Sequence, residues 1–189
     1  ATLTDANLTG ADLTRANLGG ATLTNVNLMG SNLSNASLSQ STLTNANFSF
    51  ADLRGALVNP PGPSQLARNT IREFGAINGL DLQAGETLVV RDSTIGIAVR
   101  NSMNIVNGGT LELVLGDADW GSTMAVAAGV TPDLGGTLRV RFADQANLAP
   151  LLGTTFDFFD WPGALDTNNR FAAIELPPGT QWDLTQLYV

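Results

Sequence analysis

Several residue types on which enzymes depend are missing from this chain of 189 residues. It contains no His, no Cys and no Lys, and all nine basic residues are Arg. Without His and Cys there is no Ser-His-Asp or Cys-His nucleophile, no thiolate, no disulfide and none of the usual nitrogen and sulfur zinc sites. The net charge of −8, without Lys, also argues against binding to a nucleic-acid backbone, which requires a basic stripe.

Long apolar segments are missing too. No eighteen consecutive residues are apolar, and the first residues lack the pattern of a signal peptide. The sequence therefore predicts a soluble mature segment without a transmembrane segment. A chain of this length can form one or two domains with a real hydrophobic core.

A five-residue repeat occupies the beginning of the chain. Residues 1–55 divide into eleven pentads, of which ten have Leu in the third place and one has Phe48. The first place holds Ala, Ser or, once, Val26. Because a period of five fits neither an amphipathic helix nor an alternating strand, the chain is predicted to turn a corner every five residues. The first residue and the Leu would point inward, and the other three places would face water.

Residues 1–58 resemble the pentapeptide-repeat proteins, whose consensus is A(D/N)LXX, in pentads such as ADLTR and ANLTG. The resemblance implies a right-handed quadrilateral parallel β-helix in which four pentads make one coil. Residues twenty apart would then stack, and one face would carry a Thr-Leu-Thr triplet on three coils. Its threonines are Thr2, Thr4, Thr22, Thr24, Thr42 and Thr44.

A linker and a short helix are predicted to follow at 59–75. Three prolines at 60, 61 and 63 break the repeat. Ser64 is a plausible N-cap, Ile71 and Phe74 belong to an apolar stripe at helical spacing, and Gly75 is a plausible stop. We expect this helix to cap the open end of the coils.

The remainder, 76–189, carries a looser repeat. Gly-x-Thr followed by Leu or Phe begins at Gly85, Gly108, Gly135 and Gly153, and each copy precedes a β-rich stretch. The unequal spacing predicts an irregular parallel β-solenoid, and a β-sandwich built from the same strands is the alternative. The predicted fold class of the whole chain is all-β.

Residues 76–189 also resemble bacterial surface proteins related to autotransporter passengers, especially those with a C-terminal Pro-Glu-Pro sorting signal. The runs that carry this resemblance include GLDLQAGETLVVRD, LGGTLRVRFAD and PGTQWDLTQLYV. It implies export to the outside or the surface of a bacterial cell. It implies no particular chemistry.

Carboxylates are the remaining candidates for chemistry. Asp157 and Asp160 lie beside Trp161 and resemble a glycosidase dyad, but Asp beside Gly and Asn is usually part of a turn. We therefore expect neither catalysis nor an obligatory cofactor. Calcium in oxygen-rich loops stays open, and its candidate ligands are Asp117, Asp119, Asp166 and Asn168.

Three functions remain open. The first is a non-catalytic extracellular structural or adhesive solenoid that self-associates through its open ends, head-to-tail into filaments or a surface layer. The second is ice binding by the threonine ladder, which resembles the Thr-any-Thr arrays of insect antifreeze proteins. The third is polysaccharide binding, for example to a cell-surface glycan, through an Asn ladder or exposed Trp side chains, although Trp120, Trp161 and Trp182 are expected to pack. Imitation of DNA is disfavoured, since residues 1–59 carry a net charge of only −1.

Overall fold

The computed structural model describes residues 1–58, 68–116, 120–144, 146, 151 and 153–189. The chain forms two compact units, Ala1–Ile77 and Asn78–Val189. Over the described ranges nearly all regular secondary structure is strand, and the strands pair in parallel. The predicted all-β class is confirmed.

In the first unit, the residue in the second place of each of the first eight pentads pairs with the residue twenty positions later. Thr2 bridges Thr22, and Thr22 bridges Thr42, both in parallel. The Leu3 N–H donates to the Thr22 carbonyl at 2.8 Å, and the Thr22 N–H donates to the Ala1 carbonyl at 2.9 Å. Longer pairing occurs between β1 (Ser37–Leu38) and β2 (Leu57–Val58). The predicted stacking of residues twenty apart is confirmed.

The fifth residue of every pentad turns the chain. All eleven have a positive φ, between 56° and 71°, and only four of them are Gly. The N–H that opens the next pentad donates back across this turn, as from Ala11 to the Leu8 carbonyl at 3.1 Å. A left-handed conformation costs a non-glycine residue roughly 1–2 kcal/mol, so the bonds between coils must offset seven such costs. A corner every five residues is thus confirmed.

Burial follows the repeat. From Ala21 onward, nearly all first-place residues and all third-place Leu or Phe side chains are buried, whereas Leu3, Leu8, Leu13 and Leu18 of the first coil are only half-buried. The difference arises because the described first coil has a neighbouring coil on one side only. A continuous apolar column therefore occupies the inside of the coils.

The helix predicted over 64–75 is wrong for residues 68–75. Ile71 bridges Asp52 in parallel, and its N–H donates to the Ala51 carbonyl at 3.0 Å. The segment therefore continues the ladder, with a step of nineteen residues instead of twenty. Ile71 is 0% exposed while Phe74 is 91% exposed, although a helical stripe would bury both. The open ladder edge offers hydrogen-bond partners that an isolated short helix lacks. The proline-rich linker and residues 64–67 lie outside the described ranges.

Strand β3 (Ala76–Ile77) ends the first unit. The second unit, where it is described, contains nine further strands. They are β4 (Leu80–Leu82), β5 (Thr87–Arg91), β6 (Ile97–Val99), β7 (Met103–Ile105), β8 (Thr110–Leu115), β9 (Met124–Val126), β10 (Thr137–Phe142), β11 (Phe159–Asp160) and β12 (Ala173–Glu175).

Every strand pair described within the second unit is parallel. One sheet has the order β12-β10-β8-β5, a second contains β11, β9 and β6 in that order, and β4 pairs with β7. Immunoglobulin-type sandwiches are antiparallel, so their pairing differs from the pairing found here.

The Gly-x-Thr repeat sets the register of the first of these sheets. Thr87, Thr110 and Thr137 lie side by side at the start of their strands. A Cβ on Gly136 would lie 2.6 Å from the Gly109 carbonyl oxygen, so Gly in the x place of this copy permits close stacking. The fourth copy, which begins at Gly153, does not continue this row. The residue that pairs with Thr137 on the other side is Ala173, not Thr155.

Ion pairs cover the outer face of this sheet. Leu138 and Val140 are buried while Arg139 and Arg141 are half-exposed, as expected for a strand that alternates between an inner and an outer face. The Glu112 carboxylate accepts hydrogen bonds from Arg141 Nε at 2.6 Å and from Arg139 Nη1 at 3.3 Å. Hydrogen bonds to Glu175 and Glu112 raise the pKa of Arg139 above its usual value.

Leu33→Ala is expected to lower the free energy of unfolding by about 2–5 kcal/mol, because it leaves a cavity where the side chain is 0% exposed. Urea denaturation followed by far-UV circular dichroism measures the loss. Leu13→Ala is the control, since Leu13 holds the same place one coil earlier and is half-buried. Equal losses in the two variants would contradict this account of the core.

Candidate functional site

The threonine ladder forms an outward face of the first unit. This surface, called the Thr face below, consists of Thr2, Thr4, Thr22, Thr24, Thr42 and Thr44. All six side chains are exposed or half-exposed, and Leu3, Leu23 and Leu43 between them point inward. None of the six hydroxyls has a hydrogen-bond partner among the described residues. Within the part of the chain that the structure describes, the hydroxyls are therefore available to bind something outside the chain.

On two other faces of the same coils, hydroxyls of this kind are bonded within their own pentads. Asn7 Oδ1 accepts hydrogen bonds from both the Thr9 N–H at 3.1 Å and the Thr9 hydroxyl at 2.6 Å. Asp12 binds Thr14 in the same way at 3.1 and 2.6 Å. In these pentads, the Asn or Asp in the second place thus accepts a hydrogen bond from the hydroxyl in the fourth place. Thr in the second place lacks the longer carbonyl or carboxylate arm, so the hydroxyls of the Thr face have no such partner within their own pentads.

A ladder of side chains runs along one border of the Thr face. Asn25 Nδ2 donates to Asp5 Oδ1 at 2.8 Å, and Asn45 Nδ2 donates to Asn25 Oδ1 at 3.1 Å. The three residues share the positive φ of the fifth place. These bonds tie adjacent coils together beside the face, and Asp5 is the single charge on this border.

Two of the four calcium candidates belong to the part of the chain that the structure describes. Asp117 and Asp119 lie outside the described residues. Asp166 and Asn168 are exposed in one turn, where Asp166 Oδ1 accepts the Asn168 N–H at 2.8 Å. In the described ranges, no group of three or more acidic, His or Cys side chains is arranged to hold a metal ion.

The carboxylates considered as a dyad lie at a shallow groove of about 590 Å³ in the second unit. Its lining includes Gly96, Thr123, Asp157 and Asp160, and both carboxylates are exposed. Thr123 Oγ1 donates to the main-chain carbonyl of Asp157 at 2.7 Å, so this hydroxyl supports the fold.

The tryptophans pack in two aromatic clusters, and two of them are buried as predicted. Trp120 contacts Phe158 edge to face with ring centroids 5.7 Å apart, and Trp161 stacks on Phe159 with ring centroids 4.6 Å apart. Trp161 Nε1 also donates to the Leu187 carbonyl at 2.8 Å. Trp182 is half-exposed, and its ring centroid lies 5.7 Å from that of Phe156.

A buried ion pair joins Asp52 and Arg54 in the first unit, and each side chain is 1% exposed. Arg54 Nη2 lies 2.6 Å from Asp52 Oδ2, and Arg54 Nε donates to Asp52 Oδ1 at 3.0 Å. The repeat alone did not single out this pair. Its signal was an acid in the second place followed by Arg in the fourth.

Comparison with known proteins supports the repeat assigned to the first part of the chain. A family model for pentapeptide repeats matches residues 1–30 and 23–58 in eight copies. The resemblance predicted for residues 1–58 is thus confirmed. No curated protein matches the chain. The resemblance of residues 76–189 to bacterial surface proteins stays a prediction.

Within the described ranges, no helix combines the length and the apolar character required to cross a bilayer.

Asp52→Asn is expected to lower the free energy of unfolding by about 3–5 kcal/mol, because Arg54 stays buried and loses the negative charge beside it. Asp12→Asn is the matched control: it holds the same place on an exposed coil, where Asn32 occurs naturally one coil later. Its expected cost is below about 1 kcal/mol. Chemical denaturation of both variants measures the difference, and similar costs would contradict a structural role for the pair.

Tyr188 is expected to make the protein less stable at alkaline pH. Burial raises the pKa of its phenol, although the Phe171 N–H and Arg170 oppose this rise. The unfolded chain therefore loses this proton at a lower pH than the folded chain, and stability falls as pH rises past about 10. Tyr188 is the only tyrosine, and the chain has no Lys or Cys.

Melting temperatures between about pH 9 and 11 test this expectation. The wild type should lose more stability over that range than Tyr188→Phe. The phenolate absorbance of the folded wild type should rise at a higher pH than that of the unfolded chain. Parallel curves for the two proteins would show that Tyr188 does not control the alkaline limit.

Proposed function

We propose that this chain is a non-catalytic, extracellular structural protein that self-associates through the open ends of its coils. Residues 1–58 form a right-handed quadrilateral β-helix in this proposal, and the second unit forms an irregular β-solenoid. The observation that carries it is the parallel ladder of the first unit, whose first coil has backbone N–H groups without partners among the described residues.

The quadrilateral form is supported by two periods. The chain turns after every fifth residue and pairs at every twentieth, which leaves four short segments in each coil. Parallel crossover connections are right-handed in nearly all proteins. In the second unit, Thr87 pairs with Thr110 and Thr110 with Thr137, so parallel rungs of unequal length support a solenoid.

Self-association is supported by the edge of the first coil. The N–H groups of Thr22, Asn27 and Ser37 donate to carbonyls of the preceding coil, whereas the equivalent N–H groups of Thr2, Asn7 and Asn17 have no partner among the described residues. Exposed strand edges favour pairing with another chain. A second copy supplies the missing coil in this proposal, and residues preceding Ala1 would do so in a longer protein.

A structural role also fits the use of the acidic side chains. Asp12 accepts hydrogen bonds from the Thr14 turn, Asp52 pairs with Arg54, and Glu112 pairs with two arginines. These carboxylates stabilise turns and sheets. An extracellular or cell-surface location is proposed on the resemblance of residues 76–189 to bacterial surface proteins.

Sedimentation velocity over a range of protein concentrations tests self-association. The average mass of the wild type should rise with concentration, and Asn7→Pro should reduce the rise, because proline removes an edge N–H. Asn7→Ala is the control, since it loses the same side-chain bonds to Thr9 but keeps the N–H.

Far-UV circular dichroism establishes that the variants remain folded. A wild type that stays monomeric at every concentration would overturn the self-association, as would identical behaviour of the Pro and Ala variants.

A further inference from the structure

The Thr face has an unusual combination of order and unsatisfied hydrogen bonding. Its six hydroxyls have no partner among the described residues, whereas those of Thr9 and Thr14 are bonded within their own pentads. We propose that the Thr face binds ice, with its hydroxyls and methyl groups holding water in positions that continue into the crystal. This inference is independent of self-association, since a monomer presents the same face.

The spacing of the Thr face is regular in two directions. Within a coil, two Thr side chains flank one inward Leu, so they stand about 7 Å apart, twice the rise per residue of a strand. Between coils, Thr2, Thr22 and Thr42 are paired in register, which sets a step of about 4.8 Å. Such a two-dimensional grid suits a crystal surface better than a single small ligand.

The grid is also rigid. The Leu23 N–H donates to the Thr42 carbonyl at 2.8 Å, and the Asn25 N–H donates to the Thr44 carbonyl at 2.8 Å. The side-chain ladder of Asp5, Asn25 and Asn45 fixes the adjacent border. Because the β-branched Thr side chain has few rotamers, little conformational entropy is lost when water is ordered on this face.

The chemistry of the face favours crystalline water over a protein partner. Protein interfaces depend on a few buried anchors, most often Trp, Tyr or Arg, and the Thr face has none of these residues. Its six side chains are neutral, and the single charge on the described border is Asp5. Without charge, the face does not hold the strongly hydrated ions that would disturb an ordered water layer.

Thermal hysteresis and ice-recrystallisation assays on the full chain test the proposal. Wild type should show both activities, and Thr22→Lys should lose them, because a long charged side chain interrupts the middle coil of the grid. Ser37→Lys is the matched control: Ser37 holds the same pentad place in the same coil, is half-buried like Thr22, and lies on another face. It should keep wild-type activity.

A second pair of variants controls for a folding defect. Thr24→Lys and Ser39→Lys repeat the comparison at the fourth place, and melting curves establish whether each variant is folded. Absence of ice activity in the wild type would overturn the proposal, and so would equal losses from folded variants on the two faces. Binding to an insoluble polysaccharide that Thr22→Lys abolishes, without ice activity, would overturn it in favour of a glycan surface.

Discussion

Backbone hydrogen bonds between successive coils are the interaction on which the first unit depends. Each pentad ends in a left-handed residue, and at seven of the eleven positions that residue is not Gly. These conformations are unfavourable in isolation and persist because every turn delivers the next segment to a partner twenty residues away. The Leu column buried behind the ladder adds apolar stabilisation, as Leu33 and Leu38, both 0% exposed, illustrate. A single coil would have neither contribution.

The two units divide the electrostatic character of the chain. Residues 1–77 contain four acidic residues and four arginines, so the entire net charge of −8 belongs to Asn78–Val189. Near-neutral coils can stack without mutual repulsion, whereas the acidic second unit favours solubility. In that unit, Glu112 with Arg139 and Arg141 shows how charge is paired across the outer face of a sheet.

Sequence reasoning succeeded where the periodicity is strict and failed where it is not. The pentads determined which residues are inward and which pair, because a period of five leaves few other ways to bury Leu. Ile71 and Phe74 had helical spacing, but Ile71 was taken into the ladder because the edge beside Asp52 offers backbone partners. A local pattern does not reveal that competition. The Gly-x-Thr motif likewise predicted three strand starts in register and failed at Gly153.

For the candidate sites, the sequence by itself determined that the threonines form a ladder, and it placed Asp166 and Asn168 in a polar turn. Only the tertiary structure decided that the hydroxyls of the Thr face have no partner among the described residues, while those of Thr9 and Thr14 donate hydrogen bonds within their own pentads. The physical reason is that a period fixes the direction of a side chain. Its hydrogen bonds depend on the reach of its neighbours and on the coils stacked beside it.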